Sequence, residues 1–169
     1  IEIFTPFLVY LIAPGFYEDT EKYSLAIEFT RITFPFLLFV SLSSLLSGIL
    51  NTNNKFAAAA AAPIVLNIVL ILFLLISFYY NKNIAKSLSI GVTLAGILQF
   101  IILVIFTKKF YFPSIRILIK FKERIKNFFK KLLPSIFSSG ITQINILIGT
   151  IIASFQSGAV SYLYYADRV

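Results

Sequence analysis

Between Lys55 and Lys82 the chain carries no charged residue, and almost every position from Phe56 to Tyr80 is apolar. About 20 apolar residues in a row are what a helix needs to cross the ~30 Å hydrocarbon core of a bilayer. Comparable runs extend from about Ala26 to Leu50, from Ile84 to Thr107 and from Leu132 to Phe155. Soluble domains average roughly 45–50% apolar and 25% charged residues; these 169 residues are 59% hydrophobic and 13% charged. The fold expected is all-α, a polytopic membrane helix bundle.

No methionine is present, and position 1 falls inside an apolar run. The expectation is therefore an internal stretch of a longer membrane protein. Ile3 to Ala13 reads as the end of a span, stopped by Pro14-Gly15. The connection that follows is acidic, through Glu18, Asp19 and Glu21. A second span carries Arg31 and Pro35 in its first turns and ends at Asn51-Thr52-Asn53-Asn54-Lys55. Two more follow, then a basic stretch from Lys108 to Lys131. A fifth span ends near Phe155, Gln156-Ser157-Gly158 turns the chain, and a sixth begins at Ala159.

Composition excludes much chemistry. With no Cys and no His, there is no disulfide framework, thiolate nucleophile, Cys/His metal site or imidazole acid–base catalysis. No phosphate-binding glycine loop, dinucleotide fingerprint or HExxH pair occurs. The acidic residues other than Asp167 sit at segment ends or in connections, as solvated charges rather than a paired-carboxylate site. No enzyme activity, no cofactor and no metal are expected.

Charge sets the orientation. Nine of the 15 basic residues lie between Lys108 and Lys131, opposed only by Glu123, so this stretch holds the entire net charge of +8. The positive-inside rule places it in the cytoplasm. Counting back, residues 51–55 are also cytoplasmic, whereas 14–30, 81–86 and 156–158 lie outside. Leu118, Phe121, Ile125, Phe128 and Leu132 recur at helical spacing, opposite Lys120, Arg124, Asn127 and Lys131. An amphipathic cationic helix of this kind lies on anionic phospholipids of the inner leaflet, with Lys120, Arg124 and Lys131 as headgroup contacts. That position already accounts for the charge, so nucleic acid is not the expected partner.

Polar residues within spans are informative because hydrocarbon offers them no partner. Ser41, Ser44, Ser47 and Gly48 make a small polar stripe; Gly91, Ala95 and Gln99 share a face; so do Pro63 and Asn67. Close helix packing explains them, and lining a water-filled cavity is the alternative. The fifth span is denser in polar residues, from Ser135 to Ser154. Its Gln143 and Asn145 are ~200° apart on a helix, so one narrow stripe does not hold both; both are candidate cavity-lining residues. Arg168 falls about ten residues into the last span, where an Arg costs about 2.5–3.5 kcal/mol without a compensating environment. Asp167 is adjacent in sequence and points ~100° away. Arg168 is then free for an anion, its fork suiting a phosphate, or it pairs structurally with another helix.

These residues resemble the MurJ (MviN) family of lipid II flippases. The resemblance rests on Gln143-Ile-Asn145, Ala153-Ser-Phe155 and Gly158-Ala-Val-Ser-Tyr-Leu-Tyr-Tyr-Ala-Asp-Arg168. Ala13-Pro-Gly-Phe16, Arg31-Ile-Thr-Phe-Pro-Phe36, Gly48-Ile-Leu-Asn51 and Ala62-Pro…Asn67 add to it in the same order and spacing. It implies a two-lobe member of the multidrug/oligosaccharidyl-lipid/polysaccharide exporter superfamily, working by alternating access in the bacterial inner membrane as a monomer. Its substrate would be the undecaprenyl-diphosphate-linked peptidoglycan precursor, lipid II. Residues 1–107 would be the second part of the N-terminal lobe, 108–131 the inter-lobe linker, and 132–169 the start of the C-terminal lobe. Arg168 would contact the substrate diphosphate, with Ser161 facing the same cavity from two turns away. Some relatives carry an acidic residue where Gly149 stands, tied to sodium binding; with glycine here, membrane potential is the expected drive. An anionic headgroup moving outward gains ~2.3 kcal/mol per charge per 100 mV. The alternatives are a polysaccharide-lipid flippase or drug exporter of the same superfamily, a non-transporting scaffold, or a polyprenyl-phosphate transferase.

Overall fold

A computed structural model describes residues 2–81, 83–109 and 123–167. Among these residues every regular element is helical. Helix α1 (Thr5–Ile12) ends in a short 3-10 segment, Pro14–Glu18, and is followed by α2 (Thr20–Thr52), α3 (Phe56–Tyr79), α4 (Ile84–Lys108), α5 (Glu123–Ala153) and α6 (Ala159–Ala166). Four described helices are long and apolar enough to cross a membrane: α2, α3, α4 and, within α5, Ile125–Ala153.

The sequence boundaries hold closely for α3 and α4. Helix α2 starts earlier than expected, at Thr20, because Asp19 caps it: its carboxylate accepts from the backbone N–H groups of Glu21 (3.2 Å) and Lys22 (3.1 Å). Glu21 and Glu28 are consequently helical rather than in a loop. Helix α5 runs unbroken across the expected border between basic stretch and span at 131–132. Pro134 lies inside it and supplies no N–H to the carbonyl four residues back. That carbonyl belongs to Lys130, at the end of the basic stretch.

The chain packs as two compact units. One comprises residues 1–5 and 25–113, the other 6–24 and 114–169. In the first, α3 and α4 pair along the face read from the sequence: Gly91, Ala95 and Gln99 are all buried. Smallness is what permits the approach. A Cβ on Gly91 would lie 3.0 Å from the Phe73 ring, and one on Gly96 only 2.7 Å from that of Phe36 on α2. The Thr93 hydroxyl donates to the Ile32 carbonyl of α2 (2.5 Å). Lys86 pairs with Glu28 at 2.7 Å, joining the start of α4 to the first turns of α2. Most of the small polar stripe of α2 does not face this packing: Ser41, Ser44 and Gly48 are exposed and Ser47 is half-buried, whereas Ser43 is buried. Pro63 and Asn67 are not part of it as buried residues either: both are exposed.

In the second unit the connection before α2 is pinned by aromatic rings. Tyr17 packs edge-on between Tyr10 and Tyr23 (5.7 and 5.5 Å), and the Tyr23 hydroxyl donates to the Pro6 carbonyl (2.8 Å). Helices α5 and α6 form a hairpin in the same unit.

Candidate functional site

The polar density of α5 makes its hairpin with α6 the place to look for a site. The hairpin turns at Gly158, whose φ of +78° is the left-handed conformation glycine adopts without strain. Ser154 closes the last turn of α5, its hydroxyl donating to the Ile151 carbonyl (2.7 Å). The same oxygen accepts from the backbone N–H of Gly15 at 3.0 Å. The two backbones touch here: a Cβ on Gly15 would overlap the Ser154 carbonyl and lie 2.6 Å from the Phe155 nitrogen. Residues 14–18 and 154–158 therefore share one side of the unit, as the charge-derived topology requires.

Of the clefts that flank the hairpin, two hold the candidates read from the sequence. One, of ≈ 250 Å³, lies between α5 and α6 and is lined by Asn145, Gly149, Thr150, Leu163, Tyr164 and Asp167. The Thr150 hydroxyl donates to the Ile146 carbonyl (2.8 Å), leaving its lone pairs to the cleft. An amide, a hydroxyl and a carboxylate thus line one cleft with an apolar floor, an arrangement suited to binding by hydrogen bonds. The other cleft, of ≈ 340 Å³, places Ser161 beside Gly15, Asp19, Lys22, Ser154 and Ser157. Lys22 reaches the Asp19 carboxylate at 2.9 Å. That side-chain hydrogen bond, with the cap bonds behind it, holds the Asp19 carboxyl below its ordinary value of 3.8.

The sequence candidates are thus distributed. Asn145 stands in the cleft that also receives Asp167, and Ser161 stands in the other. Gln143 is exposed and does not line the Asn145 cleft. Lys131 is exposed on α5. Arg168, Lys120 and the side chain of Arg124 lie outside the described residues. What sequence reasoning missed is the contact of Gly15 with Ser154: Pro14-Gly15 signalled only a stop, and nothing local ties it to a residue 139 positions away.

The family model described as Lipid II flippase MurJ matches residues 1–169, the whole chain. The chain belongs to that family. Among curated relatives, the "Probable lipid II flippase MurJ" of Rickettsia prowazekii (strain Madrid E) is 43% identical over 100% of this chain and 33% of its own length. That of Rhizobium tropici is 37% identical over 100% of this chain and 32% of its own. The "Lipid II flippase MurJ" of Burkholderia cenocepacia is 33% identical, covering 96% of this chain and 32% of its own length. The chain spans about a third of the curated relatives it matches. With four spanning helices among its described residues, this member of the family is a multi-pass membrane protein.

Proposed function

We propose that this chain serves in a flippase that carries lipid II from the inner to the outer leaflet of the bacterial inner membrane for cell-wall synthesis. The supporting observation is the family match across all 169 residues; it does not favour the polysaccharide-lipid, drug-export or scaffold readings. The protein is a transporter rather than an enzyme: binding and release on opposite sides suffice, and no bond need be made or broken. Residues 1–107 and 132–169 contribute to the two lobes, and 108–131 is the linker between them. Lys120, Arg124 and Lys131 of that linker rest on anionic phospholipid, and the full-length protein works as a monomer.

In this reading Arg168 contacts the precursor diphosphate, with Ser161, Gln143 and Asn145 lining its route. The test uses full-length protein in cells depleted of their own flippase. Outward-facing lipid II is counted with an added enzyme that cleaves only exposed precursor. Wild type restores exposure, Arg168→Ala abolishes it at normal membrane levels, and Arg168→Lys is intermediate, because an ammonium keeps the charge without the bidentate fork. Equal activity of all three variants would remove Arg168 from the route. Failure of inserted wild type would remove the lipid II assignment itself.

A further inference from the structure

The cleft beside Ser161 carries more hydrogen-bonding capacity than the fold uses. Its walls come from two connections, residues 15–22 and 154–161, both within one compact unit. The charge count puts both connections on the outer side. Some of its polar groups are already committed. The Ser154 hydroxyl serves the Gly15 N–H and the Ile151 carbonyl, and the Asp19 carboxylate serves Lys22 and two backbone N–H groups. Four others are not: among the described residues, no hydrogen bond or ion pair engages the side chains of Glu18, Gln156, Ser157 and Ser161. All four line the cleft and are exposed. Two rings complete the lining, a half-buried Phe16 and a Phe155 that stays 58% exposed.

This lining favours one class of ligand. The Glu18 carboxylate only accepts hydrogen bonds, whereas the Gln156 amide and each serine hydroxyl both donate and accept. A ligand that satisfies them must donate and accept at closely spaced points and offer an apolar face to the rings. A sugar does both, through its hydroxyls and its C–H face. An anion would meet Glu18 and Asp19, against a single lysine that Asp19 already holds. A simple cation would satisfy Glu18 and leave the amide, the hydroxyls and the rings without a use. The volume of ≈ 340 Å³ lies at the small end of the ~300–1,000 Å³ typical of ligand clefts, which suits a sugar unit rather than a long chain.

We propose that this cleft is a binding site for an uncharged sugar on the outer side of the membrane. Glu18, Gln156, Ser157 and Ser161 hold its hydroxyls, and its C–H face packs on Phe155. The wall is preformed: Gln156 N–H donates to the Ala153 carbonyl (3.1 Å) and Ser161 N–H to that of Gly158 (3.1 Å), so little ordering opposes binding. In the flippase reading the sugar is that of the precursor headgroup after it has crossed. That source rests on the reading; the site itself does not.

The chain contains no tryptophan, so Phe155→Trp in the full-length protein keeps an aromatic face and adds an indole reporter at the cleft. Its emission, taken over the background of the parent, is titrated in nanodiscs with chitobiose, an uncharged disaccharide. Glucuronate and inorganic phosphate serve as charged probes. Chitobiose is expected to give a saturable change and the charged probes a much weaker one. Ser161→Ala and Gln156→Ala each weaken chitobiose roughly 2- to 10-fold, the effect of one neutral hydrogen bond. Glu18→Ala weakens it roughly 10- to 150-fold, because a hydrogen bond to a charged group is stronger. Ser161→Thr, which keeps the hydroxyl, restores most of the binding and so separates recognition from folding. Glu18→Gln weakens chitobiose while strengthening glucuronate, a change of sign that misfolding would not produce.

No saturable change with chitobiose would overturn the proposal. So would unchanged affinity in both Ser161→Ala and Glu18→Ala, or tighter binding of glucuronate or phosphate than of chitobiose. The transport reading is read separately, by exposure of lipid II in cells. Protein that binds chitobiose with this variant pattern but exposes no lipid II would support the sugar site and remove the flippase as the source of its ligand.

Discussion

A methyl group at position 15 has no room. The ideal Cβ would overlap the Ser154 carbonyl carbon and oxygen and approach the Phe155 nitrogen to 2.6 Å. All three are backbone atoms at the end of a 31-residue helix, so relief requires the two segments to separate. Gly15 is not needed here for a left-handed conformation, which among glycines only Gly158 adopts; it is needed for space. Overpacking of this kind costs about 1–3 kcal/mol, and a buried N–H that loses its acceptor costs about 1–3 kcal/mol. The two costs are not fully additive, because separation readmits water to the N–H. The expected loss for Gly15→Ala is therefore about 2–4 kcal/mol, and at 1.4 kcal/mol per decade the local opening equilibrium rises roughly 30- to 1000-fold. Hydrogen exchange on the full-length protein in nanodiscs reads this at the amides of residues 15–19. Ser154→Ala removes only the acceptor and gives a smaller acceleration, roughly 5- to 100-fold, while Ser154→Thr retains most protection. Exchange within twofold of wild type in Gly15→Ala would refute the steric argument. A larger effect from Ser154→Ala than from Gly15→Ala would show that the hydrogen bond, and not the close approach, holds the segments together.

Two further perturbations probe other contacts. Gly96→Ala pushes a methyl to 2.7 Å from the Phe36 ring and 3.4 Å from Phe39 Cβ, and is expected to lower stability in detergent by about 1–3 kcal/mol. Adding Phe36→Leu, which withdraws the ring, should recover part of that loss, and a strictly additive double variant would contradict the contact. The Asp19 carboxyl is held below its ordinary 3.8 first by its side-chain hydrogen bond with Lys22. Depression of a carboxyl means that its contribution is complete above the unfolded value and is lost as pH falls through the folded one. Melting temperature followed from about pH 5 downward should therefore fall less steeply in Asp19→Asn than in wild type, and parallel profiles would rule the group out.

The spans were legible because the bilayer leaves so few solutions: a run such as Phe56–Tyr79 becomes a helix whatever its neighbours do. Two pairings of the connections were legible too. The Glu28–Lys86 pair and the Gly15–Ser154 contact each join segments that the charge count assigned to one side. The border at 131–132 was not legible, because a helix ladder continues through a change of composition unless a breaker stops it, and Pro134 frees only the carbonyl of Lys130.

Which serines face a neighbour was hidden for a related reason. The Ser41 hydroxyl donates to the Leu37 carbonyl (2.7 Å) of its own helix, so an exposed serine costs little and a polar stripe on α2 need not point inward. Ser43 does point inward, and its hydroxyl is buried with no partner, against the expectation that a polar atom withdrawn from solvent is paired. In a soluble protein the burial of apolar residues would have revealed these faces. In lipid both faces are apolar, so size carries the information that polarity carries in water. Gly91 and Gly96 admit the Phe73 and Phe36 rings, and Gly15 admits a backbone, whereas at Gly48 and Gly140 an added methyl would meet nothing within 4 Å. A glycine in a span thus permits a close approach without requiring one. Residues 14–18 and α5 meet because three independent features coincide: a missing side chain at Gly15, a hydroxyl at Ser154 and a connection already held by Tyr17 and Tyr23.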